Sequence, residues 1–382
     1  MKKVFIVLKE DVMLYPPVLT ILNILSSLKV QVSLIGVYTD KEGKAKYESK
    51  GVKFIDVDSY NENDSLLTKL KKQLKFRRIV KKTLEESELT NEDRVWIMGS
   101  ENICLLSSIV DKYPTILHFF EFVESKINWK YQLLNPSYNP ENTLKKALKV
   151  VCCEYNRAQI TKGIYQLKDL PLVLPNKVIV DESELSKVPM DINPMIDDIT
   201  QKTKGKKVVL YQGIFLDEER RLEEFCEAIS HLPDDYAFIA MGKGSKMYEH
   251  LKAKYESDRI IFIPFIRPPY HLLVTKLATV GVLSYFPRRG PIAYTINPIY
   301  CAPNKIFEYA KFGIPMISND IPALKYVYME YGCGECIKYP MTTENITEVI
   351  KKVMDNLPAY REGALKYFDS VNVKSIISEI IE

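Results

Sequence analysis

Short apolar runs, each followed by a longer stretch of helical pattern, recur along this chain and constrain its fold more than any other feature. VFIVL (Val4 to Leu8), VSLIGV (Val32 to Val37), VKFIDV (Val52 to Val57), RVWIMG (Arg94 to Gly99) and TILHFF (Thr115 to Phe120) form a first series. A second series runs through KVVLYQG (Lys207 to Gly213), AFIAMG (Ala237 to Gly242), IIFIPF (Ile260 to Phe265), VGVLSY (Val280 to Tyr285) and PMIS (Pro315 to Ser318). Strands that are apolar throughout and separated by helices belong in parallel sheets covered on both faces. Between the series, Asp181 to Lys207 is polar, holds prolines and keeps no sustained period, so it reads as a linker. The 382 residues suit two domains at roughly 150 or more residues each. The expected fold class is therefore α/β, with two Rossmann-like halves.

Composition narrows the function classes. A hydrophobic content of 46% with 27% charged residues describes a globular chain with sizeable cores. The net charge of +4 is too small to indicate a nucleic-acid partner by itself. The first apolar run, Val4 to Leu8, is broken by Lys9, Glu10 and Asp11, too early for a signal core or a bilayer span. A cytoplasmic protein is expected. Its seven scattered cysteines suit reduced thiols. Cys333-Gly334-Glu335-Cys336 has C-x-x-C spacing but no second pair to complete a zinc site.

Ligands in such sheets bind beyond the carboxyl ends of the strands, near helix N-termini. The most informative segment in such a place is APNKIFEYAKFGIPMIS, Ala302 to Ser318. Pro303 suits the first turn of a helix, Gly313 its C-terminal cap, and Pro315 stops its continuation. Ile306, Phe307 and Ala310 share one face and pack inward. Asn304 and Glu308 lie one above the other on a different face. Asn304 stands where free backbone N–H groups receive phosphate, and Glu308, one turn on, can accept hydrogen bonds from sugar hydroxyls. An ordinary helix with a solvated glutamate would show the same spacing.

PNKIFEYAKFGIP resembles the donor-binding helix of retaining GT-B glycosyltransferases, in particular the large family 4. VVLYQGIFLDEERRLEEFCEAI (Val208 to Ile229) is similar to that family's opening strand, glycine turn and helix. ALKVVCCEYNRAQITKGIYQL, from Ala147, with the LPLVLPNKV that ends at Val178, is similar to the close of its N-terminal domain. The resemblance implies a GT-B fold: an acceptor-binding domain over 1–185, a nucleotide-sugar-binding domain over 186–360, and a helix over 361–382 that returns to the first domain. It also implies a cleft site, retention of anomeric configuration, and a role in bacterial surface polysaccharide assembly. Glu308 would bind the ribose, with Asn304 and Lys305 near the diphosphate. Gly213 would let the loop backbone approach the phosphates. Arg220, or Arg221 beside it just inside the next helix, would neutralise the leaving diphosphate, unless both pair locally with the surrounding acids. With protein cations in that role, no metal and no other cofactor is expected.

The chain departs from the family at one point: the first of its two spaced glutamates is replaced by Tyr300, which leaves contacts to the transferred sugar open. A nucleotide-sugar epimerase and a non-catalytic partner subunit on the same fold remain as alternatives. Asp56-Val57-Asp58 spells the metal motif of a different transferase class, whose single-domain plan has no place for the second series of strands.

In the first half, HFFEF (His118 to Phe122) resembles the segment that faces the transferred sugar, and His118 and Glu121 are the catalytic candidates. Strand alternation brings only one of them to a ligand unless the chain turns. Tyr15, in the loop Glu10 to Val18, is a candidate for stacking on the acceptor, and equally for packing on the next helix. KLKKQLKFRRIVKK, Lys69 to Lys82, holds eight basic residues and no acid, with Leu66, Leu70 and Leu74 at a spacing of four. Such a helix suits an anionic membrane surface carrying a lipid-linked acceptor, or is simply a solvated face. No nucleic-acid recognition motif accompanies it.

Overall fold

The computed structural model describes residues 1–59, 63–122, 124, 135, 138–180, 182–186 and 188–382. It divides into two compact units, one of residues 1–176 with 372–382 and the other of residues 177–371. Asp181, where the expected linker begins, lies outside the described residues.

The first unit holds a parallel sheet of seven strands: β1 (Lys3–Asp11), β2 (Gln31–Val37), β3 (Lys53–Asp56), β4 (Arg94–Met98), β5 (Thr115–Phe119), β6 (Lys149–Cys152) and β7 (Leu172–Val173). Their order is β3-β2-β1-β4-β5-β6-β7. Ile6 pairs with Leu34 on one side and Trp96 on the other, and all three are fully buried. Helices on both faces explain why these strands carry no polar alternation. The helix Val373–Ile381 completes this unit by burying Val373, Ile377, Ile380 and Ile381. Lys2 Nζ donates to the Ile381 carbonyl at 2.8 Å.

The basic helix spans Leu66–Glu86 and is capped by Ser65, whose Oγ accepts from Thr68 N–H at 3.2 Å. Its packing face is Gln73, Phe76, Val80 and Leu84. The leucines spaced by four are not that face: Leu66 and Leu74 are 74% and 50% exposed, as is Leu67 at 71%. Asp56 and Asp58 are held in ion pairs with Lys44 and Lys75, at 2.7 and 2.9 Å. No cluster of three or more His, Cys, Asp or Glu side chains arranged for a metal ion occurs among the described residues.

The second unit holds a parallel sheet of six strands: β8 (Lys207–Gln212), β9 (Tyr236–Gly242), β10 (Ile260–Pro264), β11 (Val280–Leu283), β12 (Met316–Asn319) and β13 (Gly334–Ile337). Their order is β10-β9-β8-β11-β12-β13. Cys333 precedes β13 and Cys336 lies within it, both as free thiols. Part of the expected linker is a helix, Asn193–Lys202. Its apolar stripe is narrow: Ile192 and Ile199 enter the core and Met195 and Ile196 pack against it, which is too little to stand out from the polar residues between them. Among the described residues, no helix is long and apolar enough to cross a membrane.

Candidate functional site

Strand order in the second unit reverses between β8 and β11, and the loops that leave their carboxyl ends flank the crevice where α/β sheets place ligands. The first loop begins at Gly213, whose N–H donates to the Met241 carbonyl at 2.9 Å. Its φ of +145° disfavours a side chain, and an added Cβ would lie 2.5 Å from Lys305 Nζ. Gly213 therefore makes room for Lys305.

Arg220 and Arg221 follow in this loop, before the helix Glu223–His231 rather than inside it. Glu223 and Glu224 take the first turn instead, where the helix dipole favours acids. The Arg220 guanidinium stacks 4.2 Å above the Tyr285 ring, and Arg221 lies 4.4 Å above Phe286. Arg220 Nη1 also meets Glu219 Oε2 at 3.3 Å.

The helix Asn304–Lys311 points its N-terminus toward the same edge of the sheet. Pro303 is its N-cap and supplies no side-chain hydrogen bond. Ile306, Phe307, Tyr309 and Ala310 are buried, and Tyr309 donates to the Leu210 carbonyl on β8 at 2.9 Å, which ties the helix to the sheet. Lys305 Nζ lies 4.6 Å from the Tyr211 ring centre and 5.5 Å from that of Tyr285. Burial, with the charge of Arg220 second, pushes the Lys305 pKa down to about 7, against the opposing pull of Glu308.

Glu308 is 9% exposed, and both its oxygens are engaged. Oε1 lies 3.2 Å from His271 Nε2, and Oε2 accepts from Gln212 Nε2 at 2.6 Å. Thr275 in turn donates to Gln212 Oε1 at 2.7 Å. Burial opposes ionisation of Glu308, but His271, Lys305 and Gln212 together outweigh it and hold its carboxyl below the ordinary range. This is an oriented carboxylate one turn from an uncapped helix tip, with two cations beside that tip.

Gln212, His271, Thr275 and Tyr285 were absent from the sequence-based candidates. Gln212 ends β8, and the helix His271–Thr275 follows β10, so the carboxyl-end rule could have marked both. Their convergence on Glu308 is a tertiary fact. Tyr300 terminates the helix Ala293–Ile299, its N–H donating to Ile296 at 2.9 Å.

In the first unit, Tyr15 lies beside Phe120, with ring centres 5.1 Å apart. Burial, with added repulsion from Glu10, Glu101 and Glu121, raises its phenol to about 12. Glu121 is exposed just beyond β5. His118 is fully buried inside the same strand end, with its ring 5.9 Å from Trp96 and 4.8 Å from Phe120, and its Nε2 3.6 Å from Cys153 Sγ. Burial drives its pKa down to about 3, so the imidazole is neutral at physiological pH. The structure thus presents Glu121 to solvent, leaves Tyr15 partly covered and encloses His118.

By sequence, no family model and no curated protein matches the chain. Solved structures do match over its whole length. HepE from Anabaena, in complex with UDP and glucose, superposes with a TM-score of 0.65 at 11% identity, covering 100% of this chain and 98% of its own. Sucrose-phosphate synthase from Thermosynechococcus elongatus gives 0.67 at 12% identity, with 99% and 97% covered. A glycosyltransferase from Rickettsia africae gives 0.68 at 11% identity, with 99% and 96% covered. With two parallel-sheet α/β units matched over their full extent, the chain has the GT-B fold.

Proposed function

We propose that this protein is a glycosyltransferase that binds a nucleoside diphosphate sugar on its second unit. One observation carries this: the uncapped tip of the helix Asn304–Lys311, with Lys305 and Arg220 at hand, stands one turn from the fixed carboxylate of Glu308. Anion at the tip and ribose hydroxyls on the carboxylate is the arrangement a nucleoside diphosphate requires. Asn304 and the backbone at Gly213 line the phosphate path. As the sugar–phosphate bond breaks, preorganised donors and cations stabilise the charge growing on the departing diphosphate. Arg220 and Lys305 provide that charge, with no metal ion in the scheme. HepE was crystallised with UDP-glucose as well as UDP, which supports testing uridine nucleotides first.

The sugar passes to a glycan or lipid-linked acceptor held by the first unit, near Tyr15 and Glu121, with retention of configuration and in surface polysaccharide assembly. The helix Leu66–Glu86 supports a membrane-associated acceptor. Its outward side carries Leu67, Lys71, Leu74 and Arg78, all exposed, and Lys71 and Arg78 have no ion-pair partner among the described residues. Alternating leucines and cations on an exposed helix fit an anionic bilayer surface, at about 1 kcal/mol per basic residue. The protein would then work on the cytoplasmic face of the membrane.

Thermal shift with UDP, GDP, ADP and CMP, on wild type and Glu308→Ala, tests the donor site. A diphosphate at one hundred times its Kd stabilises by about 2.7 kcal/mol. A shift with one diphosphate that vanishes in the variant is expected. No shift with any of them would favour the non-catalytic alternative.

A further inference from the structure

We infer that Arg288 is a second arginine of the diphosphate site and that Glu219 positions it together with Arg220, an inference that rests on the nucleoside diphosphate reading above. Arg288 lies in the loop after β11, across the switch point from the loop that carries Arg220. One carboxylate joins them. Glu219 Oε1 is 2.5 Å from Arg288 Nε, and Oε2 is 3.3 Å from Arg220 Nη1. The main chain repeats the link, since Phe286 N–H donates to the Glu219 carbonyl at 3.0 Å.

Both guanidinium groups rest on tyrosine faces, Arg220 on Tyr285 and Arg288 on Tyr294, each 4.2 Å from the ring centre. Stacking fixes the plane of a guanidinium while leaving its edge N–H groups free to grip oxygens in pairs. The Tyr285 ring is also neighbour to Lys305 Nζ at 5.5 Å, so Lys305 and Arg220 flank one ring while Arg220 shares its acid with Arg288. Glu308 is already committed to His271 and Gln212. A single carboxylate cannot saturate two guanidinium groups, so positive charge and hydrogen-bond donors are left over at the crevice.

Glu219 is nearly buried, with 12% of its side chain exposed, whereas Arg288 keeps 34%. The glutamate offsets repulsion between the arginines and holds them a carboxylate's width apart. Phosphate oxygens bridging the same pair from the open side complete the arrangement, as charge-assisted contacts. Were the trio only a latch between two loops, Arg288 would affect folding and nothing else.

The test is calorimetric titration of the full chain with the diphosphate and the monophosphate of whichever base binds best. Arg288→Met should weaken the diphosphate by about tenfold or more and bring its affinity close to that of the monophosphate. Arg288→Lys should recover part of the difference. Glu219→Gln should lower the diphosphate-to-monophosphate ratio, and Glu219→Asp should restore it. An Arg288→Met protein that melts earlier yet keeps the wild-type ratio overturns the inference and leaves Arg288 a latch. If the wild type binds no nucleoside diphosphate at all, the donor-site reading itself has failed.

Discussion

His271 Nε2 stands 3.2 Å from one carboxylate oxygen of Glu308, while Gln212 holds the other at 2.6 Å. Gln212 ends β8 and His271 opens the helix that follows β10, so the carboxylate is held from two separate elements. Preorganisation of this kind removes an ordering cost from binding.

His271→Ala should therefore weaken nucleotide binding although Glu308 is intact. A loss of about tenfold corresponds to one charge-assisted hydrogen bond, and titration calorimetry measures it. An unchanged Kd would mean that Glu308 finds its orientation without His271.

Lys305 sets an upper limit on pH for donor binding. Its native pKa of about 7 lies below the ordinary 10.5, and phosphate needs the ammonium form. Diphosphate affinity should fall as pH rises above about 7, by up to about tenfold per unit, with proton uptake on binding. Lys305→Arg should make the profile flat between about pH 7 and 9, because arginine keeps its charge. Stability of the empty protein has the opposite sign: the unfolded chain binds the extra proton, so this site adds stability as pH rises through the same interval. A pH-independent wild-type Kd would refute the assignment.

His118 and Glu121 should separate cleanly. The native imidazole titrates at about 3, against an ordinary 6.5, so between those values the unfolded state binds more protons and His118 costs stability as pH falls. His118→Gln should flatten that part of the acid-denaturation curve while leaving turnover on a nucleotide sugar near wild type. Glu121→Ala, at an exposed position, should change stability by no more than about 0.5 kcal/mol and lower turnover. Turnover lost in His118→Gln with melting unchanged would contradict the buried placement.

The helix Leu66–Glu86 should be separable from the donor site as well. Sedimentation with vesicles containing anionic phospholipid should recover the wild type, and less of it as salt increases. Leu67→Ser with Leu74→Ser, or Lys71→Glu with Arg78→Glu, should release it while nucleotide binding persists. Equal recovery on neutral vesicles, or on nucleic acid, would reject an anionic bilayer as the partner.

Strand positions were legible because a buried parallel strand has no polar alternation to obscure it: RVWIMG and AFIAMG announce β4 and β9 directly. The helix Asn304–Lys311 was legible because a proline start, a glycine end and an apolar face at i, i+1 and i+4 coincide. Other features depend on distance in space. Glu219 reads as one acid in an acidic run until Arg288, far along the chain, is seen against it. Leu66, Leu70 and Leu74 keep a helical spacing, yet Phe76, Val80 and Leu84 keep one too, and only the sheet beneath decides which set is covered. His118 shares its strand end with Glu121, and the turn after Phe119 separates their environments.

The helix Val373–Ile381 has a further consequence. Because it belongs to the unit that begins at Met1, the second unit is in effect an insertion within the first. During synthesis from the N-terminus, the second unit can finish folding while the first still lacks its last buried side chains, Ile377, Ile380 and Ile381. The half whose synthesis starts first is thus the last to be completed, and removal of only this helix would expose its core while leaving the second unit's own core covered.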